Sequence, residues 1–189
     1  MDVKRSRFPS VILLVALSAG CATSRGTYRD TEMDFGSVRR VAVLPLENLS
    51  RDPLGGERVR EVLSTMLISS GSIYVVPSGE VARGLAGIGG IPAAPTGDAV
   101  VALGKQLKVD AVVTGTLKEY GEVRAGAAQA NVISLSLRLS ETGAGKIVWS
   151  ASSTRGGVGF LTRMFGGGAS PLNNITEEAV NELIDKLFD

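Results

Sequence analysis

Ten residues, Asn131 to Ser140, read NVISLSLRLS: Ile133, Leu135, Leu137 and Leu139 alternate with Ser134, Ser136, Arg138 and Ser140. A period of two over this length puts the apolar side chains on one side of a strand and the polar ones on the other. The next residues, ETGAG, suit a turn, and KIVWSASSTR returns with Ile147, Trp149 and Ala151 on one face. The stretch is expected to form an antiparallel hairpin with one buried and one wetted side.

The segments around it supply the rest of a layered domain. VRRVAVLPLENLS carries the apolar run Val41 to Leu44, a buried strand ended by Pro45. RDPLGG is a turn. In ERVREVLSTMLISSG, residues Val59, Val62, Leu63, Met66 and Leu67 recur at helical spacing, with Gly71 placed to end the helix. IYVVP is a second short strand. Ser78 is expected to cap a short helix, EVARGLAG, with Glu80 in its first turn, before the Gly/Pro-rich IGGIPAAPTG. Asp98 opens the helix DAVVALGKQLKV, and DAVVTGTLKEYGEV is another strand. The chain closes with NITEEAVNELIDKLF, where Thr176 is expected to cap and Val180, Leu183, Ile184 and Leu187 make the apolar stripe. The order β-α-β-α-α-β-β-β-α implies an α/β fold on a single mixed β-sheet with packed helices. Its opening is parallel and its late hairpin antiparallel.

Composition narrows the chemistry. Lys and Arg number 20 against 19 Asp and Glu, so the clustered basic excess of a nucleic-acid binder is absent. Histidine is absent and cysteine occurs once among 189 residues. Intramolecular disulfides, His/Cys zinc sites, Ser-His-Asp triads and Cys-His dyads are therefore excluded.

That one cysteine, Cys21, follows MDVKRSRFPSVILLVALSAG. Lys4, Arg5 and Arg7 form a positive start, Val11 to Leu17 a short apolar run, and Ser18, Ala19 and Gly20 the small residues before the cysteine. This is the three-part pattern of a secretory signal, too short in its apolar run to span a membrane stably. The join to Cys21 resembles the lipobox of bacterial lipoproteins, with Leu17 one position further back than the usual leucine. The resemblance implies diacylglyceryl attachment at Cys21 and removal of residues 1–20; the plain alternative is a signal cut nearby that leaves a free thiol. Two or more acyl chains anchor stably, each buried methylene adding about 0.8 kcal/mol. Ala22, where an Asp would resemble an inner-membrane retention signal, favours the outer membrane, with the domain facing the periplasm. Residues 21–37 are expected to be the lipidated cysteine and a flexible tether, and residues 38–189 the α/β domain.

Few residues suggest catalysis. Gly84 to Gly90, GLAGIGG, follows a helix and precedes a Pro-rich loop, whereas a phosphate cradle needs a strand before it and a helix after it. The carboxylates Glu57 with Glu61 and Glu119 with Glu122 could in principle serve a hydrolase, but no aromatic sugar platform accompanies them. Trp149 is expected to pack in the hairpin. Phe160, Leu161, Met164 and Phe165 sit in the Gly-bounded stretch FLTRMF and are candidates for a partner contact, or for covering an edge of the core.

Several phrases combine into a family resemblance: VAVLPLENLS, IYVVPSGEV, LGKQLKVDAVVTGTLKEYG and LRLSETGAGKIVWSAS. They resemble the periplasmic lipoproteins related to CsgG, LpoB and the amino-terminal domain of TolB. The resemblance implies an anticodon-binding-domain-like α/β fold and a role in envelope assembly. The expectation is a non-enzymatic lipoprotein without cofactor or metal, anchored through its lipid and binding envelope proteins or peptidoglycan machinery. The alternatives are an oligomeric CsgG-like export-channel subunit and a carboxylate-dependent envelope hydrolase.

Overall fold

The structure, a computed structural model, describes residues 26–90, 95–125, 128–157 and 170–188. Within them seven strands form one mixed sheet: β1 (Thr27–Arg29), β2 (Arg40–Val43), β3 (Glu47–Asn48), β4 (Tyr74–Val75), β5 (Ala111–Ala125), β6 (Ala128–Glu141) and β7 (Ile147–Gly156). Their order is β1-β7-β6-β5-β2-β4, with β3 beside β5. β2 is parallel to β4 and β5, and the β5–β6–β7 meander and β1 are antiparallel. The α/β class and the single mixed sheet are those the sequence implies.

Helices α1 (Gly55–Ser69) and α4 (Leu172–Phe188) cover one side of the sheet. Val59, Leu63 and Leu67 of α1 and Val180, Leu183 and Leu187 of α4 meet Ile133, Leu135, Leu137 and Leu139 of β6 there. The period-two pattern thus buries its four aliphatics, Ile133 and Leu135 completely. Each contributes about 1.5–3 kcal/mol by leaving water. Trp149 lies in this core, 2% exposed, and its indole N–H donates to Lys186 O at 3.0 Å. On the opposite side α2 (Ser78–Gly87) and α3 (Gly97–Leu107) make a smaller core with β2 and β5, through Val81, Val100, Leu103, Ala42 and Val112. Gly104 of α3 faces Thr142 so closely that a Cβ would collide with that side chain, which itself donates to Val109 O at 2.6 Å. The helix, the strand entry and the β6–β7 turn are thereby locked together.

Five local expectations differ from the structure. Thr27–Arg29, assigned to the tether, pairs with Ala151, Ser150 and Trp149 as an edge strand, because register with β7 replaces the hydrophobic periodicity those residues lack. Ser78 is the first helical residue of α2; Pro77 O starts the ladder by accepting from Glu80 N and Val81 N. α3 is capped by Thr96, whose hydroxyl accepts from Ala99 N at 3.4 Å, and Asp98 follows in the first turn. α4 begins a turn earlier than expected. Thr176 lies inside it, 1% exposed, its hydroxyl donating back to Leu172 O at 2.7 Å. Finally, the β6–β7 register shifts between Leu139 and Ser140, so Val148 and Trp149 both face inward and Ile147 is turned out, 44% exposed. Gly71 stands where a helix-ending glycine was expected, at φ +66° just past Ser70.

Candidate interaction surface

The side of the β6–β7 hairpin away from α1 and α4 carries hydroxyls in register. Ser134, Ser136 and Arg138 of β6 stand opposite Thr154, Ser152 and Ser150 of β7. The oxygens of Ser134 and Thr154 are 3.0 Å apart, and those of Ser136 and Ser152 2.8 Å. Thr116 of β5 lies opposite Ser136 and donates to the Glu47 carboxylate at 2.9 Å. Tyr28, paired with Ser150, continues the face to the sheet edge and is 47% exposed. These strands have alternation to thank for the arrangement: every second residue must point here once its neighbours enter the core. Helices α2 and α3 pack over β2 and β5, and among the described residues these hydroxyls are half-buried or exposed.

Such a row can donate and accept hydrogen bonds with short side chains that lose little rotamer freedom. The hydroxyls of Ser134, Ser136, Ser152 and Thr154 pair with one another, and an activated serine needs an adjacent base.

Among the described residues a charged cluster lies between β7 and α4. Glu182 accepts from Ser153 Oγ at 2.5 Å and from Lys186 Nζ at 2.6 Å, and Arg155 Nη2 is 2.9 Å away. Burial raises the Glu182 carboxyl, but the hydrogen bonds from Lys186 and Ser153 and the charges of Lys186 and Arg155 outweigh it and hold the group below its usual range. A carboxylate held low is a weak base, opposite to what general-base catalysis at neutral pH asks for. The arrangement fastens α4 to β7.

The carboxylates singled out in the sequence are dispersed. Glu57 pairs with Arg60 at 2.7 Å on α1, and Glu61 is exposed. Glu122 pairs with Arg124 at 2.8 Å on the outer part of β5, while Glu119 stands opposite Ser134. Both belong to a groove of about 800 Å³ along the edge of β5 past its pairing with β3, where Leu49, Lys118 and Arg124 also lie. Among the described residues no cluster of three or more His, Cys, Asp or Glu side chains could hold a metal. Cys21, Phe160, Leu161, Met164 and Phe165 lie outside the described residues.

Two structural roles escaped the sequence reading. Asp110 Oδ2 accepts from the amides of Arg39 and Arg40 at 2.9 and 2.8 Å, pinning the entry of β2 beside β5. Asp30, 9% exposed, pairs with Lys146 at 2.5 Å, so the segment before the domain is clasped to the β6–β7 turn. The only hint of either was an acid at the border of an apolar strand or a polar stretch.

No protein-family model and no curated protein sequence matches the chain. Solved structures do. A PelC L103M dodecamer from Paraburkholderia phytofirmans aligns at TM-score 0.55 and 18% identity, over 79% of this chain and 88% of that one. Lipoprotein GNA1162 from Neisseria meningitidis aligns at TM-score 0.53 and 22% identity, over 78% of this chain and 99% of that one. At these identities the likeness is one of fold. The C-terminal domain of LpoB from Escherichia coli also matches, at TM-score 0.49 and 16% identity over 66% of this chain and 88% of that one.

Proposed function

We propose that this protein is an outer-membrane-anchored lipoprotein facing the periplasm, a non-enzymatic component that binds envelope proteins or peptidoglycan machinery. The observation that carries the reading is Cys21 in its lipobox-like setting, six residues ahead of the first strand of the α/β domain. Around that anchor the domain offers a hydroxyl-lined open face in place of a poised catalytic group, and the charged cluster around Glu182 is spent on tying α4 to β7. We place the partner contact on that open face, with Phe160, Leu161, Met164 and Phe165 as a second contact. A fold held in common with a lipoprotein, GNA1162, over nearly all of that chain supports the assignment.

Metabolic labelling with a tagged fatty acid tests the anchor. The wild type takes up label and sediments with outer membranes, and Cys21→Ser takes up none. Equal labelling of the two proteins would overturn the reading.

A second reading, an oligomeric export-channel subunit, is favoured by one observation. The β5–β6 hairpin, 15 and 14 residues long, runs past its neighbours on both sides, and a solved neighbour of this fold is a dodecamer. Light scattering on the detergent-extracted protein separates the two, since a ring of many subunits contradicts a monomeric adaptor.

A further inference from the structure

The segment from Thr27 to Ser37 is ordered against the domain, held along the β7 edge, by one hydrogen bond to α4 and by two half-buried side chains on the core. Among the described residues β1 is a sheet edge with three residue pairs, all to β7. Past it, Asp30 N donates to Val148 O at 2.8 Å and the Asp30 carboxylate meets Lys146, whose side chain is 56% exposed. The Arg29 guanidinium donates to Leu187 O at 2.6 Å and stacks 3.9 Å over the Phe35 ring. Met33 and Phe35 rest on the core half-buried, and among residues 27–37 only Asp30 is buried. From Val38 onward the attachment changes character. Val38 is in the core, and Asp110 holds the Arg39 and Arg40 amides.

We infer that residues 27–37 form a releasable strap that sets how far the domain stands from its anchor. Resting on the assignment of a lipid to Cys21, the geometry gives two reaches. With β1 docked, the span from Cys21 to Gly26 is five residues, a reach of at most about 17 Å. With β1 peeled from β7, the span runs to Ser37, sixteen residues away and about 55 Å extended. Peeling keeps the rest of the sheet and its helices but lifts Met33 and Phe35 off the core, where Phe35 lines an apolar hollow with Val41, Leu67 and Leu187. Trp149 and Ala151, the inward-facing partners of Arg29 and Thr27, stay covered by the main core, and the freed β7 edge is wetted rather than buried. Release therefore belongs to the class of local openings that occur well below the free energy of global unfolding. The polar, aperiodic sequence of this segment fits the same conclusion, since it suits a chain that must also exist undocked.

Hydrogen exchange and a distance measurement on the full-length lipidated protein in nanodiscs test this. The amides of Thr27 to Asp30 are expected to exchange at least ten-fold faster than those of Leu135 and Leu137. Asp30→Ala should accelerate them several-fold further while the β6 amides stay unchanged. Exchange of both groups at one common rate would overturn the strap. Energy transfer from a fluorophore at Ala102, on α3, to a bilayer dye should report a longer mean distance for Asp30→Ala. The Tyr28→Cys/Ser150→Cys disulfide, which clamps β1 to β7, should abolish that lengthening. An unchanged distance in a protein whose strap exchanges freely overturns the role in reach. A protein that never loads into the disc instead refutes the anchor, and the exchange measurement still decides the strap.

Discussion

The two sides of the β6–β7 hairpin use alternate residues of the same strands and are under opposite demands. On one side Ile133, Leu135, Leu137, Leu139 and Trp149 are sealed beneath α1 and α4. On the other, Ser134, Ser136, Ser150, Ser152 and Thr154 hydrogen-bond across the strands or face water. The sealed side packs its side chains into the core and pairs even the Trp149 N–H. The open side has no such requirement, and among its paired residues on β6 and β7 Arg138 is the one charge in a run of small hydroxyls. Stability is stored on one side, and the proposed recognition acts on the other.

Substitutions at adjacent positions should separate the two sides sharply. Leu135→Ala is expected to destabilise the domain by about 2–5 kcal/mol in denaturant titrations, because the site lies fully inside the core. Its neighbour Ser136→Ala should stay within about 0.5 kcal/mol of wild type. Similar losses at both positions would break the comparison.

A smaller effect is expected at the seam between the sealed side and its helix. Glu182→Gln removes the charge that Lys186 and Arg155 face, and should cost about 1–3 kcal/mol near neutral pH. The sign of its pH dependence follows from a folded pKa that lies below the unfolded one. The contribution is present above the unfolded carboxyl value and is lost as pH falls through the folded one. Thermal melts from pH 7 to pH 3 should therefore converge for wild type and Glu182→Gln on acidification. The Asp30 carboxyl is lowered too, chiefly by its hydrogen bond from Lys146, so the strap should also loosen as pH falls through that range.

Least visible in stability, and most visible in binding, is the open side. Ser136→Glu with Ser152→Glu puts like charges on directly opposed residues, and should shift the melting temperature by only a few degrees. The same pair should abolish crosslinking of the anchored protein to its envelope partner in intact cells. Undiminished crosslinking would move the recognition surface elsewhere.

The strands and helices with strong periodicity were legible before any coordinates. The alternation of Ile133 to Leu139 and the helical stripe of Val180, Leu183, Ile184 and Leu187 both resolved as read, because each pattern has one way of burying its apolar atoms. Weakly patterned positions were not legible. Three helix starts were misplaced around Ser78, Asp98 and Thr176, where capping is settled by which backbone donors the tertiary fold leaves free. Ile147 was misjudged because a bulge, invisible in composition, reversed the parity of β7. Thr27 to Arg29 became a strand only because β7 offers them a free edge.

By itself, then, the sequence determined the class of fold, the inward side of each long element and, through the absence of histidine, which chemistries were closed. These follow from local periodicity and from side-chain inventory, and neither depends on what lies far away along the chain. Tertiary structure decided the rest. Arg29 meets Leu187 across 158 positions and Arg39 meets Asp110 across 71, and such contacts exist only once distant segments share an edge or a face. Whether a polar stretch is tether or strand is settled by that same long-range pairing.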